Sequence, residues 1–139
     1  MSAEAGIRIQ YAEGMGEITE AAVKRLLKKI RRGACGRLYL ALDPDGESSF
    51  LQMDSGNGRI FLVIGEERLE GNRVRWIRYM SHDTQYDGSE EEAPIRAGQD
   101  RILMRETIRD AGLAAACVEH YIRTGEPWPG MEWMKLDDG

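Results

Sequence analysis

The sequence predicts a single α+β domain spanning residues 1–139, in which an antiparallel sheet of about four to six strands carries two principal helices on one face. Three observations predict this fold class. Apolar residues recur at helical spacing in two segments, they alternate with a period of two between residues 37 and 80, and short turn-forming segments separate the alternating stretches. Because short connections join antiparallel neighbours, residues 37–80 are expected to form a four-stranded meander.

The first helix is predicted from the apolar pattern of residues 22–30 and is expected to end at Gly33. Its apolar residues follow the i, i+3, i+4, i+7 pattern and are Ala22, Val23, Leu26, Leu27 and Ile30. Its opposite side carries six cations, Lys24, Arg25, Lys28, Lys29, Arg31 and Arg32. A solvated face and the negative end of the helix dipole explain this cluster, so it does not by itself indicate nucleic-acid binding.

The alternating region predicts strands at 37–42, 49–54, 59–65 and 73–80, after a short strand at 7–11. Residues 43–46 (Asp-Pro-Asp-Gly) form a turn signal, and residues 66–72 are expected to be a polar connection. The alternation assigns ten residues to the face that receives the helices: Leu38, Leu40, Leu42, Leu51, Met53, Ile60, Leu62, Ile64, Val74 and Trp76. The opposite face is expected to mix aromatic and polar side chains: Tyr39, Phe50, Gln52, Phe61, Arg75 and Tyr79.

The remaining chain begins with a solvated loop over residues 81–99, which is the least hydrophobic segment. Residues 94–97 and 101–104 are candidates for short edge strands. A second helix is predicted over residues 106–123, because Ile108, Ala111, Ala115, Val118 and Ile122 share one stripe and Gly125 is a plausible stop. Residues 131–136 are expected to form the last strand.

Composition narrows the function classes. The chain has 19 basic and 24 acidic residues, hence a formal net charge of −5, which argues against a generic nucleic-acid binder. Cys35 and Cys117 are too few for a disulfide scaffold, and no apolar run is long enough to span a membrane. We therefore expect a cytoplasmic protein that does not associate with membranes or nucleic acid.

No recognised catalytic motif is present, and we expect neither enzymatic activity nor a cofactor. His82 next to Asp83 resembles an acid/base pair, but adjacent residues rarely orient their side chains toward each other. The carboxylates of Asp83, Asp87 and residues 90–92 lack the spacing of a calcium-binding loop. Two alternatives remain open: a small divalent-metal-dependent hydrolase using the carboxylates near His82, and a regulatory module that binds a small ligand on the aromatic sheet face.

The C-terminal third contains an alanine-rich helix followed by residues 121–127 (Tyr-Ile-Arg-Thr-Gly-Glu-Pro) and residues 128–133 (Trp-Pro-Gly-Met-Glu-Trp). This pattern resembles the ending of immunity protein family one of bacterial polymorphic toxin and contact-dependent inhibition systems. The residues that carry the resemblance are Tyr121, Ile122, Thr124, Gly125, Glu126, Pro127, Met131 and Trp133. The likeness is best over residues 115–135 and looser over the rest of the chain.

The resemblance implies a non-enzymatic protein that binds a cognate toxin C-terminal domain and neutralises it by covering its active site. The acidic segment suits a basic partner such as a nuclease or a nucleic-acid deaminase. The candidate toxin-binding residues are therefore Asp83, Tyr86, Asp87, Glu90, Glu91, Glu92 and Trp128. Trp133 is expected to pack the last strand onto the core, and Trp76 is expected to be a core residue.

Overall fold

The computed structural model describes residues 6–14, 16–43, 49–97 and 100–137. The helices are α1 (Glu20–Arg31) and α2 (Ala111–Thr124). The strands are β1 (Tyr11–Ala12), β2 (Gly16–Glu17), β3 (Arg37–Ala41), β4 (Ser49–Gly56), β5 (Arg59–Glu70), β6 (Arg73–Met80), β7 (Glu92–Ala97), β8 (Asp100–Leu103), β9 (Thr107–Ile108) and β10 (Met134–Asp137). Two short 3-10 turns lie at Thr84–Tyr86 and Met104–Glu106.

The main sheet is antiparallel throughout and has the strand order β10-β6-β5-β4-β3-β1-β2, with β9 paired to β5. Strands β3 to β6 follow one another as neighbours, so the predicted meander is confirmed. Residues of α1 and α2 share one buried apolar cluster with the strands, and this confirms the α+β class.

Helix α1 forms where the apolar spacing predicted it. The Thr19 hydroxyl accepts a hydrogen bond from the backbone N–H of Ala22 (3.1 Å) and caps the first turn. All five predicted apolar residues are buried, whereas the six cations are exposed. The helix is therefore held by its apolar side, and its cationic side faces solvent.

Helix α2 begins five residues later than predicted. Asp110 caps it by accepting from the backbone N–H of Leu113 (3.1 Å), and residues 107–108 pair with β5 as strand β9 instead. Ile108 is buried as expected, but from a strand. Gly125 ends the helix in the left-handed conformation (φ 74°), which an L side chain adopts only with strain.

The helix-side face of the sheet agrees with the prediction except in β6. Ile64 pairs with Tyr79, and Glu66 pairs with Ile77, so Tyr79 and Ile77 lie on the helix side. Val74 and Trp76 consequently lie on the opposite face, together with Arg78. Arg75, which was expected on the opposite face, has the helix-side parity. The prediction was wrong by one residue because β6 has apolar residues at both parities.

Strand β5 also extends further than predicted, because residues 66–70 continue the ladder with β6 instead of forming a connection. The turn is only Gly71-Asn72, where Gly71 has a positive φ of 65°. The outer part of this hairpin projects beyond the core, which explains its polar composition. At its tip, Leu69 and Val74 face each other and are 74% and 56% exposed.

Strands β7 and β8 form a separate hairpin, not edge strands of the main sheet. The hairpin packs on the second sheet face through a small cluster that includes Phe61, Val63, Met80 and Ile102. A groove of about 530 Å³ lies along this contact. The second face is therefore partly covered, and Tyr39 and Phe50 stack beside it with ring centroids 5.8 Å apart.

The chain ends differ modestly from prediction. Residues 7–10 are not a strand, although Arg8 and Ile9 both donate backbone hydrogen bonds to the carbonyl of Ile122 (2.9 and 3.0 Å). The last strand is β10, which is shifted toward the C terminus. Most of the turn predicted at 43–46 lies outside the described residues. Within the described ranges, neither helix has the length and apolar character that a membrane span needs.

Candidate functional site

The acidic loop, defined here as residues 83–92, is attached to the fold by a buried arginine. Arg59 opens β5 and is 4% exposed. Its Nη2 donates to the Asp83 carboxylate (2.9 Å) and to the carbonyls of Met104 and Thr107 (both 3.3 Å), and its Nε donates to the Thr107 hydroxyl (2.8 Å). Arg59 thus joins the start of the acidic loop to the segment before α2.

Asp83 uses both carboxylate oxygens. One accepts from Arg59, and the other accepts from the backbone N–H of Gln85 (3.0 Å), which caps the 3-10 turn. Burial alone raises the pKa of Asp83, but the hydrogen bonds from Arg59 and Gln85 outweigh it, so this pKa lies below its ordinary value. The carboxylate is therefore charged and committed to holding the loop.

Further contacts close the acidic loop on residues 104 and 105. The Asp83 N–H donates to the Arg105 carbonyl (2.9 Å), the Arg105 side chain donates to the Ser89 carbonyl (3.2 Å), and the Met104 N–H donates to the Glu91 carbonyl (2.8 Å). Of the loop predicted at 81–99, the structure describes residues 81–97. Hydrogen bonds hold the first part of this stretch, which contains a 3-10 turn, and it ends in strand β7.

The other carboxylates of the acidic loop point outward. Asp87, Glu90, Glu91 and Glu92 are all exposed. Asp87 accepts from His82 Nε2 (2.5 Å), and Glu92 accepts from Arg101 (3.0 Å). No ion pair joins Glu90 or Glu91 to another described residue, so these two present the most available negative charge on the loop.

His82 and Asp83 do not form an acid/base pair, as expected for adjacent residues. His82 contacts Asp87, whereas Asp83 turns to Arg59. A groove of about 330 Å³ runs beside them, and Arg109 and Glu132 contribute to its lining. The described residues include no group of three or more histidine, cysteine, aspartate or glutamate side chains placed to hold a metal ion.

The two candidate aromatic anchors occupy different places. Tyr86 is half-buried in the acidic loop, and its ring centroid lies 5.5 Å from the Arg59 guanidinium carbon. Trp128 is half-buried against the main core, where its carbonyl accepts from Trp133 Nε1 (2.8 Å). The structure thus brings Tyr86 and Asp83 together around Arg59 and places Trp128 in the C-terminal segment.

The residues that carry the family resemblance form a packed C-terminal unit. Tyr121 is fully buried, and its hydroxyl bonds with the Ser49 hydroxyl (2.7 Å). Burial raises the pKa of Tyr121 to about 12, against the lowering effect of that hydrogen bond. Met131 is buried beside Cys117, whose sulfur lies 3.8 Å from the methionine sulfur. These contacts show that the C-terminal motif is part of the packed core. Trp133, which packs against this core, has the structural role expected of it.

Neither cysteine has the character of a reactive thiol. Both are buried and unpaired with each other. Burial raises the pKa of Cys117 to about 12 and also raises that of Cys35, so both thiols are protonated at neutral pH.

No pattern in the sequence predicts that Arg59, Thr107 or Arg105 contacts the acidic loop. Arg59 follows a glycine-rich turn, a setting in which arginine is usually exposed. The sequence signal is a charged residue directly before the apolar run at residues 60–64, and this signal identifies Arg59 as an anchor only once the position of Asp83 in the fold is known.

Comparison with known proteins adds no further assignment: no protein-family model, curated protein or solved structure matches the chain.

Proposed function

We propose that this protein is an immunity protein that binds and neutralises a cognate bacterial toxin domain in the cytoplasm, without enzymatic activity of its own. The observation that supports this proposal best is the ordered acidic loop. Its backbone is fixed by Arg59 and Arg105, whereas Glu90 and Glu91 remain exposed. A charged surface that is already ordered loses little conformational entropy on binding.

The charge of the loop selects the partner class. Exposed carboxylates speed the association of a basic partner and have less effect on how long the complex lasts. Nucleases and nucleic-acid deaminases bind phosphates and therefore carry basic active-site surfaces. The proposed toxin is a domain of this kind, and the acidic loop covers its substrate-binding surface.

The first test is protection. The protein is co-expressed with the C-terminal domain of a toxin encoded beside its gene, and both cell survival and co-purification are measured. Survival with a stable complex is the expected result. A toxin that still kills and does not co-purify would contradict the proposed function.

A second test assigns the surface. Glu90→Lys/Glu91→Lys is compared with Glu13→Lys/Glu126→Lys, which changes the same charge at exposed carboxylates outside the acidic loop. Glu92 is left intact because it contacts Arg101. The loop variant should slow association about tenfold at low salt, and the difference should shrink as salt is added. Equal association rates for the two variants would show that the acidic loop is not part of the interface.

The groove on the second sheet face supports a second candidate, a ligand-binding regulatory module. Its lining includes the apolar side chains of Phe50, Phe61 and Met80 and the cationic side chain of Arg37. A volume of about 530 Å³ falls in the range of small-molecule sites. Thermal stabilisation by a small ligand in the absence of any toxin would support this candidate, and Phe61→Ala should abolish it.

A further inference from the structure

Helix α1 exposes a dense positive surface on a protein of net negative charge. The cationic face, defined as Lys24, Arg25, Lys28, Lys29, Arg31 and Arg32, spans nine residues, or about 12 Å along the helix axis from the first to the last. None of the six forms an ion pair with a described carboxylate. Glu20, the one acidic residue of the helix, is instead bound by Arg123 of α2 (2.9 and 3.0 Å).

This arrangement opposes helix stability. Residues three and four apart lie about 5–6 Å from each other, and Lys28 has cations at all four such positions. This separation is shorter than the Debye length of about 8 Å at physiological salt, so the repulsion is only partly screened. The helix dipole favours cations in the last turn, but it does not account for Lys24 and Arg25. Stability alone would place glutamates among them.

The apolar side of α1 is not available to a partner. Five of its six apolar residues are buried, and the sixth is only the small, exposed Ala21, so the helix cannot insert into a lipid surface. A ligand of the cationic face must therefore be anionic and must bind from solvent by charge.

The surroundings favour a protein over a nucleic acid. The end of β4 contacts the segment after α1, through the bond from the Ser55 hydroxyl to the Cys35 carbonyl (2.6 Å). The turn that follows β4 contacts β7, through the bond from Asn57 to the Pro94 carbonyl (3.1 Å). The C-terminal end of α1 and the acidic loop thus adjoin one end of the sheet, with Arg109 lining grooves on both sides.

The acidic loop would repel any part of a long polyanion that extends beyond α1 onto this end of the sheet. An acidic segment of about 12 Å matches the length of the cationic face and need not extend that far. The exposed side of α1 also has no aromatic residue on which a base could stack. We propose that the cationic face is a docking surface for an acidic segment of a protein partner, separate from the toxin contact proposed for the acidic loop.

The test uses the intact protein and two probes of equal charge, a glutamate homopeptide and an oligothymidylate. Lys28→Gln/Lys29→Gln is compared with Arg73→Gln/Lys135→Gln, which removes two exposed cations elsewhere. Glutamine has nearly the helix propensity of lysine, so the α1 variant should fold normally. Backbone amide shifts measured by NMR locate the bound probe.

The wild-type protein should bind the homopeptide along α1 more tightly than the oligothymidylate. The α1 variant should weaken homopeptide binding about fivefold, and the control variant should not. Tighter binding of the oligothymidylate would overturn the proposal in favour of nucleic acid. Equal affinity of the wild-type protein and the α1 variant, or no binding at near-physiological salt, would also overturn it.

Discussion

The cationic face of α1 and the acidic loop carry opposite charge, and the fold holds them by different means. The α1 cations are attached to a helix whose apolar residues are buried, so the backbone is fixed without help from any charged group. The acidic loop has few apolar residues and is fixed by polar contacts, above all those of Arg59. Charge on α1 is therefore dispensable for folding, whereas part of the charge in the loop is structural.

Removing Arg59 should have the largest effect and tests most directly whether the acidic loop depends on charged groups for its stability. Arg59→Ala leaves the Asp83 carboxylate and the Thr107 hydroxyl without their donor in a mostly buried place, and should destabilise the protein by about 3 kcal/mol. Lys28→Ala should change the free energy of unfolding by less than about 0.5 kcal/mol. Urea denaturation measures both, and hydrogen exchange should show residues 83–92 opening first in Arg59→Ala. Equal losses in the two variants would contradict the distinction.

Asp83→Asn tests the same anchor from the other side. The amide has a single oxygen, so it cannot accept from both Arg59 and Gln85, and we expect a loss of about 1.5 kcal/mol at neutral pH. Because folding lowers the pKa of Asp83, its stabilisation is present above the unfolded pKa and is lost as the pH falls through the folded pKa. The wild-type advantage over Asp83→Asn should thus shrink below about pH 4. A constant difference across pH would show that Asp83 acts without its charge.

The difference between a helix held by apolar burial and a loop held by polar contacts also explains which features could be predicted from the sequence. Helix α1 was predictable because burial of an apolar stripe leaves a periodic signal, and the meander was predictable because its short turns are local. Both signals depend on neighbouring residues in the chain. The anchor of the acidic loop depends on Arg59 meeting Asp83, which lies 24 residues away. No local pattern records such a contact.

The errors in β6 and α2 have a related cause. The alternation assigns Val74 and Trp76 to the helix side, but Ile77 and Tyr79 at the other parity are apolar as well. Only the pairing with β5 decides which pair faces the helices. Thr107 and Ile108 continue a helical pattern, yet β5 offers them strand partners. The candidate toxin-binding residues of the acidic loop were identified from composition alone, and their assignment stays a prediction.

A smaller effect of opposite sign is expected within the cationic face. Lys28→Glu replaces four repulsive neighbours with attractive ones, at the expense of an unfavourable charge near the negative end of the helix dipole. We expect a net gain of about 0.5 kcal/mol in the free energy of unfolding, together with weaker binding of the glutamate homopeptide. Lys28→Gln, which removes only the repulsion, should fall between the wild-type protein and Lys28→Glu in stability. Destabilisation by both variants would mean that Lys28 supports the helix.

The smallest effect should come from the exposed carboxylates of the acidic loop. Glu90→Gln/Glu91→Gln should leave the free energy of unfolding within about 0.3 kcal/mol of wild type, because neither side chain forms an ion pair with a described residue. The Glu91 carbonyl, which does hold the loop, is unchanged by the substitution. If the double variant loses as much stability as Asp83→Asn, these carboxylates are structural after all. They would then be poor candidates for residues that meet a partner, because a side chain committed to the fold is not available for binding.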